Sequence, residues 1–341
     1  MLSFITGVAG PALTGEERQF LQEARPWGLI VFKRNIGSPA SLKALIDDFR
    51  SAVGWQAPVL VDQEGGRVQR LGPPHWPSYP PGAAYGRLYD RDAKQGLAAA
   101  TLGASLIAAD LAAVGIDTDC APIADVPVAG ADPIIGDRAY GTEPAKVAAI
   151  AGAIATGLLQ GGVLPVLKHL PGHGRATADS HDKLPVVATD RATLDATDFA
   201  AFRPLQGLPL GMTAHVVFSA IDPVAPATAS VTIVRDVIRD SIGFSGLLMS
   251  DDISMGALSG SIGERTKAAI AAGCDVALHC NGKMDEMLAV AGAVPRLTGA
   301  AARRAEAALA LRRRPAPIDI AARRAEFSTL MAGAQPAPGA A

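Results

Sequence analysis

The stretch GGVLPVLKHLPGHGRATADSH, Gly161–His181, sets the reading of the whole chain. Its two glycines close an Ala-rich helical segment over Lys146–Gln160, and Gly just past the last turn is how many helices end. Val163–Leu167 (VLPVL) is then an unbroken apolar run, too short for a buried helix and typical of a strand covered on both faces. The run passes directly into Lys168 and His169. A polar loop follows, interrupted by Pro171, Gly172 and Gly174.

The same unit recurs on both sides of it. Apolar runs occur at Gly28–Phe32 (GLIVF), Val59–Val61 (VLV), Ile116–Ala124, Leu210–Ala214 (LGMTA), Leu247–Met249 (LLM) and Val276–Leu278 (VAL). Amphipathic helices separate them. Thr14 with Glu17 is a capping box. Ser38-Pro39 opens a helix whose Leu42, Leu45, Ile46 and Phe49 share one face and which Gly54 closes. Leu97–Val114 is a further helix. Strand-then-helix order throughout predicts parallel strands. No linker divides the chain, and the Pro73–Pro81 stretch reads as a loop. The expectation is an α/β fold, a single (β/α)8 TIM-type barrel over residues 1–331, with a low-complexity tail over 332–341. A doubly wound sheet is the alternative, but the glycine-rich phosphate turn it would want is missing.

Composition excludes several classes. The chain has 341 residues, is 49% hydrophobic and only 5% aromatic, and carries a formal net charge of −2. That balance gives no basic footprint for nucleic acid or an anionic membrane surface. Three cysteines without a CxxC argue against a disulfide framework and for a reducing compartment. No run of about 18 uncharged apolar residues is present, and the N-terminus lacks a basic segment followed by a signal-length apolar run. The expected location is cytoplasmic, with no membrane partner, no nucleic-acid partner and a monomeric state.

Functional side chains of a parallel barrel gather where strands end. Here VLV runs into Asp62-Gln63-Glu64-Gly65-Gly66-Arg67, LGMTA into His215, LLM into Ser250-Asp251-Asp252 and VAL into His279. Asp251 and Asp252 both suit a helix cap; of the two, Asp252 is expected to cap or support and Asp251 to react. Asp179 and His181 are two apart, so an extended backbone would put them on one side, with Asp179 fixing the imidazole tautomer. A histidine held this way is a candidate proton donor. His169 and His173 have helical metal spacing, but Pro171 and the glycines oppose a helix there. Arg67, Arg70 and Arg138 stand beside glycines near strand ends, where a guanidinium reaches a polar ligand.

The pieces VDQEGGRVQRL (Val61–Leu71), IGDRAYG (Ile135–Gly141), KHLPGHG (Lys168–Gly174), DSH (Asp179–His181), MTAHVVF (Met212–Phe218) and SDDISM (Ser250–Met255) resemble the bacterial β-N-acetylglucosaminidases of glycoside hydrolase family 3, the peptidoglycan-recycling branch. The resemblance implies a retaining exo-glycosidase that removes terminal β-linked N-acetylglucosamine, with 1,6-anhydro-muropeptides as substrate. It implies Asp251 as nucleophile, His181 as acid/base with Asp179 as its partner, and Asp62, Arg70, Arg138, Lys168 and His169 as sugar-binding residues. It implies no metal and no organic cofactor. One departure is Gly256-Ala257-Leu258, where family members often have an acidic residue. The same residues could serve a phosphorylase, a sugar-binding protein without catalysis, or, if zinc bound, a metal-dependent hydrolase.

Overall fold

The computed structural model describes residues 1–313 and 318–332. Among these, eight parallel strands close into a barrel in chain order: β1 Leu2–Thr6, β2 Pro26–Val31, β3 Val59–Val61, β4 Thr118–Asp119, β5 Leu164–Leu170, β6 Leu210–Thr213, β7 Leu247–Asp252 and β8 Val276–His279. The barrel expectation holds, with one strand added. Sequence reading found seven apolar runs and passed over Leu2–Thr6. That segment closes the ring, pairing with β8 (Phe4 opposite Ala277) on one side and β2 on the other.

Alternation along each strand explains the interior. Ile5, Ile30, Leu60, Leu164, Val166, Leu210, Met212, Leu247, Met249, Val276 and Leu278 point inward and pack as one plug, as barrel interiors require. The other strand faces join the helices in a larger outer core. Pro39–Val53 is representative. Ser38 caps its N-terminus, Gly54 ends it at φ 74°, and Leu42, Leu45, Ile46 and Phe49 are buried. Each such side chain contributes about 1.5–3 kcal/mol on leaving water.

Several boundaries differ from the sequence reading. β5 extends through Leu170 and β7 through Asp252, so Lys168, His169, Asp251 and Asp252 lie within strands rather than after them. Asp251 is on the seventh barrel strand, not the sixth. β4 is only two residues long. Its ladder continues irregularly through Ala121, Pro122 and Ala124, which bond to β5 backbone, because Pro122 has no N–H to give. The helix read as Leu97–Val114 spans Ala93–Ala113. It is long and apolar enough to cross a membrane by length and composition, and here it packs against the helices Pro144–Gln160, Gly82–Arg91 and Ile320–Ala332. The proposed tail begins inside the last helix, whose final residue is Ala332; residues 333–341 lie outside the described residues.

Candidate active site

Period two along the strands carries the interior plug upward into a cleft. The inward position after Leu60 is Asp62, after Val166 is Lys168, after Met249 is Asp251 and after Leu278 is Cys280, and all four line one cavity of about 490 Å³. Arg70, Arg138, His169 and His181 line it too. That volume lies in the ordinary range for a small-molecule site.

The cleft floor is a buried ion network. Lys168 Nζ donates to Asp62 Oδ1 (2.9 Å) and Glu64 Oε1 (2.8 Å). Arg70 Nη2 reaches Asp62 Oδ2 at 2.9 Å, and Arg138 forks onto both oxygens of Glu64 at 2.8 and 2.9 Å. Burial opposes charge on Asp62, but Lys168 and Arg70 overrule it and hold the carboxyl far below its ordinary value. Burial likewise opposes charge on Glu64, and Arg138 with Lys168 brings it down to about 2. Burial would lower the Lys168 ammonium; Asp62 and Glu64 raise it instead. Lys168 and its two carboxylates are thus held in their charged forms, and hydrogen bonds to charged groups are the stronger kind.

Local chain chemistry builds this floor. Gln63–Gly65 and Val68–Gln69 form a small antiparallel hairpin, turned by Gly65 (φ 97°) and Gly66 (φ 58°). A Cβ at Gly65 would lie 2.4 Å from the Pro80 carbonyl oxygen. Gln63 faces away from the cleft, accepts from the N–H groups of Arg70 and Leu71 and donates to the Leu71 carbonyl. It thereby sets Arg70 across from Asp62. Arg67, which could have reached a ligand, instead donates to the Pro133 and Ile134 carbonyls and to Asp137, tying down the loop that carries Arg138.

Asp251 stands half-buried in the cleft wall. Burial resists its charge, yet the nearby His215 and His169 rings and the Asp252 N–H (2.8 Å) hold its carboxyl below the usual carboxylate range. Asp252 supports rather than lines up to react. Its carboxylate takes Ser254 N–H and O–H and the Cys280 N–H, and its carbonyl accepts from His215 Nε2 at 3.0 Å when that nitrogen is protonated. His169 Nδ1 lies 2.7 Å from buried Asp125, which also accepts the His173 N–H at 2.6 Å. Burial, then the His169 charge, pushes His173 down to about 4; its Nε2 contacts Ser180 at 3.0 Å. The two histidines share Asp125 and their ring centroids lie 5.8 Å apart; among the described residues no group of three or more potential metal ligands converges.

His181 occupies the rim, its side chain 64% exposed. Asp179 stands behind it and does not line the cavity. Its Oδ1 meets His181 Nδ1 at 2.7 Å and also accepts the His181 N–H. The contact is as expected, but the backbone is not extended: Asp182 and Lys183 N–H groups both return to the Asp179 carbonyl in a turn. The loop's start is tightly packed, for a Cβ at Gly174 would lie 2.1 Å from the Val126 carbonyl oxygen.

Residues 5–310 match the glycosyl hydrolase family 3 N-terminal domain. The chain belongs to glycosyl hydrolase family 3. Among its curated relatives are a β-hexosaminidase of Alkalilimnicola ehrlichii, 40% identical over 81% of this chain and 79% of the relative, and one of Aromatoleum aromaticum, 38% identical over 80% and 78%. The crystal structure of NagZ from Neisseria gonorrhoeae in complex with N-trifluoroacetyl-D-glucosamine is similar at a TM-score of 0.86 and 31% identity, covering 98% of each chain. The resemblance read from the motifs is therefore correct at the level of family, fold and enzyme class.

Every candidate residue of this family 3 hydrolase falls in or directly behind the one cleft. Sequence reading missed Glu64, Asp125 and His215 as site residues. Glu64 was visible two positions after Asp62 in the same polar segment. His215 was visible at a strand end. Asp125 directly follows the run Ile116–Ala124 and was visible in the same way, whereas its pairing with His169 was not.

Proposed function

We propose that this family 3 hydrolase is a retaining β-N-acetylhexosaminidase that releases terminal β-linked N-acetylglucosamine. Asp251 attacks the anomeric carbon, and His181, oriented by Asp179, protonates the leaving oxygen. The glycosyl–Asp251 ester is then hydrolysed by water that His181 deprotonates, so two inversions return the β configuration. Asp62, Arg70, Arg138, Lys168 and His169 hold the sugar. The observation that carries the reading is one cleft lined by a half-buried Asp251, a carboxylate-paired histidine at the rim and a charged floor. We extend it to 1,6-anhydro-muropeptides as substrate, cell-wall recycling as role, a monomer as working state and the cytoplasm as location.

A chromogenic β-N-acetylglucosaminide should be cleaved far faster than the corresponding glucoside, without metal and with chelator present. A 5-fluoro sugar should leave an adduct on the peptide containing Asp251, and early product should be the β-anomer by proton NMR. An adduct on Asp252, or early α-anomer, overturns the mechanism. A second reading rests on the acid/base being an imidazole, which repels phosphate less than a carboxylate does. Turnover that requires phosphate and yields the sugar 1-phosphate would establish that reading instead.

A further inference from the structure

The helix Ile320–Ala332 lies beyond the family match and has no fully buried residue. Ile320, Leu330 and Met331 pack half-buried against the edge of the core, and two further side chains reach toward the cleft. The Phe327 ring packs on Tyr79 (centroids 6.3 Å apart) and Tyr85 (6.4 Å). Arg324 Nη2 donates to Asp110 Oδ1 at 2.7 Å. The other oxygen of Asp110 accepts the Tyr79 hydroxyl at 2.7 Å. The helix Ala93–Ala113 leaves room for this seat, because a Cβ at Gly103 would lie 2.8 Å from the Phe327 ring.

Tyr79 is where this contact meets the cleft. Its carbonyl accepts the Gly66 N–H at 2.9 Å, and its own N–H donates to Gln69 Oε1 at 2.9 Å. Both partners belong to the hairpin that carries Glu64 and leads into Arg70. The chain then runs through Pro80, whose carbonyl nearly touches Gly65, to Gly82. A Cβ at Gly82 would lie 1.9 Å from the Arg138 carbonyl oxygen. The segment Tyr79–Gly82 is therefore wedged between the two loops whose side chains form the Glu64–Arg138 fork.

We infer that the helix Ile320–Ala332 is a brace for the cleft floor, in which Phe327 and Arg324 are positioning residues that act through Tyr79 on the spacing of Glu64, Arg70 and Arg138. A wedge with backbone contacts on both sides transmits its own displacement to each. Ile320, Leu330 and Met331 hold the helix to the core on their own, so removing Phe327 and Arg324 should act on the floor more than on the fold. The inference rests on the cleft being the sugar site.

The test uses the full chain carrying Arg324→Ala and Phe327→Ala together. KM and kcat are measured with a chromogenic β-N-acetylglucosaminide, the inhibition constant for N-acetylglucosamine is measured in parallel, and all assays run well below the melting temperature. KM and the inhibition constant should rise together by about fivefold, with kcat within about twofold, since floor contacts bind substrate and transition state alike. Phe327→Tyr, which keeps the ring, should restore most of the loss. Tyr79→Phe should shift the inhibition constant the same way and add less than its full effect to Arg324→Ala, because both act through Asp110. If the double variant does not fold, Phe327→Leu carries the same readout. A lowered melting temperature with unchanged KM and inhibition constant would overturn the inference, as would a fall in kcat alone. The unsubstituted chain failing to cleave the substrate would instead overturn the glycosidase reading, a result independent of the variant-to-parent ratios.

Discussion

The floor of the cleft and the loop at its rim are built on opposite principles. The floor groups sit on strand ends and a tied hairpin, buried and bonded on several sides, with Lys168 only 3% exposed and shared between two carboxylates. The rim group, His181, sits on a turn, mostly exposed, with one carboxylate partner from its own turn. Sugar hydroxyls need donors and acceptors already in place, because reorganising them on binding costs affinity. In the proposed mechanism His181 gives a proton in one step and takes one in the next. Two seams join the regions. His173 bridges from Asp125 to Ser180, and Gly256 lets the chain after β7 lie against the loop, its N–H donating to the His181 carbonyl at 2.9 Å.

This contrast can be broken at three places. The largest effect should come from His181→Ala, which should cut kcat for a poor leaving group by roughly 10²–10⁴-fold and for an activated aryl leaving group far less. The melting curve should barely move, within about 0.5 kcal/mol, as for other exposed substitutions. A uniform loss across leaving groups would show that the rim supports structure after all. Lys168→Ala should cost stability as well as substrate binding. It takes the shared cation from two buried carboxylates, and the midpoint of chemical denaturation should fall by an amount worth about 3 kcal/mol, the low end for a broken buried pair because Arg70 and Arg138 remain. Unchanged stability would mean the floor is not the rigid region. The smallest effect should come from Gly256→Ala. Its new Cβ would lie 2.8 Å from the His181 carbonyl oxygen and 2.9 Å from that of Asp182. The loop must shift, and kcat/KM for a poor leaving group should drop about tenfold, near 1.4 kcal/mol. Gly15→Ala, where a Cβ meets nothing within 4 Å, is the control. Equal activity of the two variants would show that the loop does not depend on that seat.

Much of the floor was legible because strand periodicity is local. VLV, VLPVL and LLM each name their own inward face, and Asp62, Lys168 and Asp251 follow two residues after Leu60, Val166 and Met249. The same count separates Asp251 from Asp252, whereas capping preference alone left the pair open. The Gly256 departure, in sequence only a missing acidic residue, is a steric requirement of the neighbouring loop once folded. The motif match made the family legible because its pieces occur in order along most of the chain.

By itself, then, the sequence determined the repeating strand–helix unit, the parallel barrel, the family and the set of polar residues at strand ends, all of which depend on spacings of a few residues. Tertiary structure alone decided how the ring closes and which charges meet. Leu2–Thr6 reads as an unremarkable N-terminus until β8, some 270 residues later, offers it a hydrogen-bonding edge. Lys168 becomes the shared partner of Asp62, 106 residues away, and of Glu64. His169 finds Asp125 across 44 residues. Pairings at such distances leave no local pattern, because they are chosen by barrel closure and by the cost of burying a charge without a counter-charge.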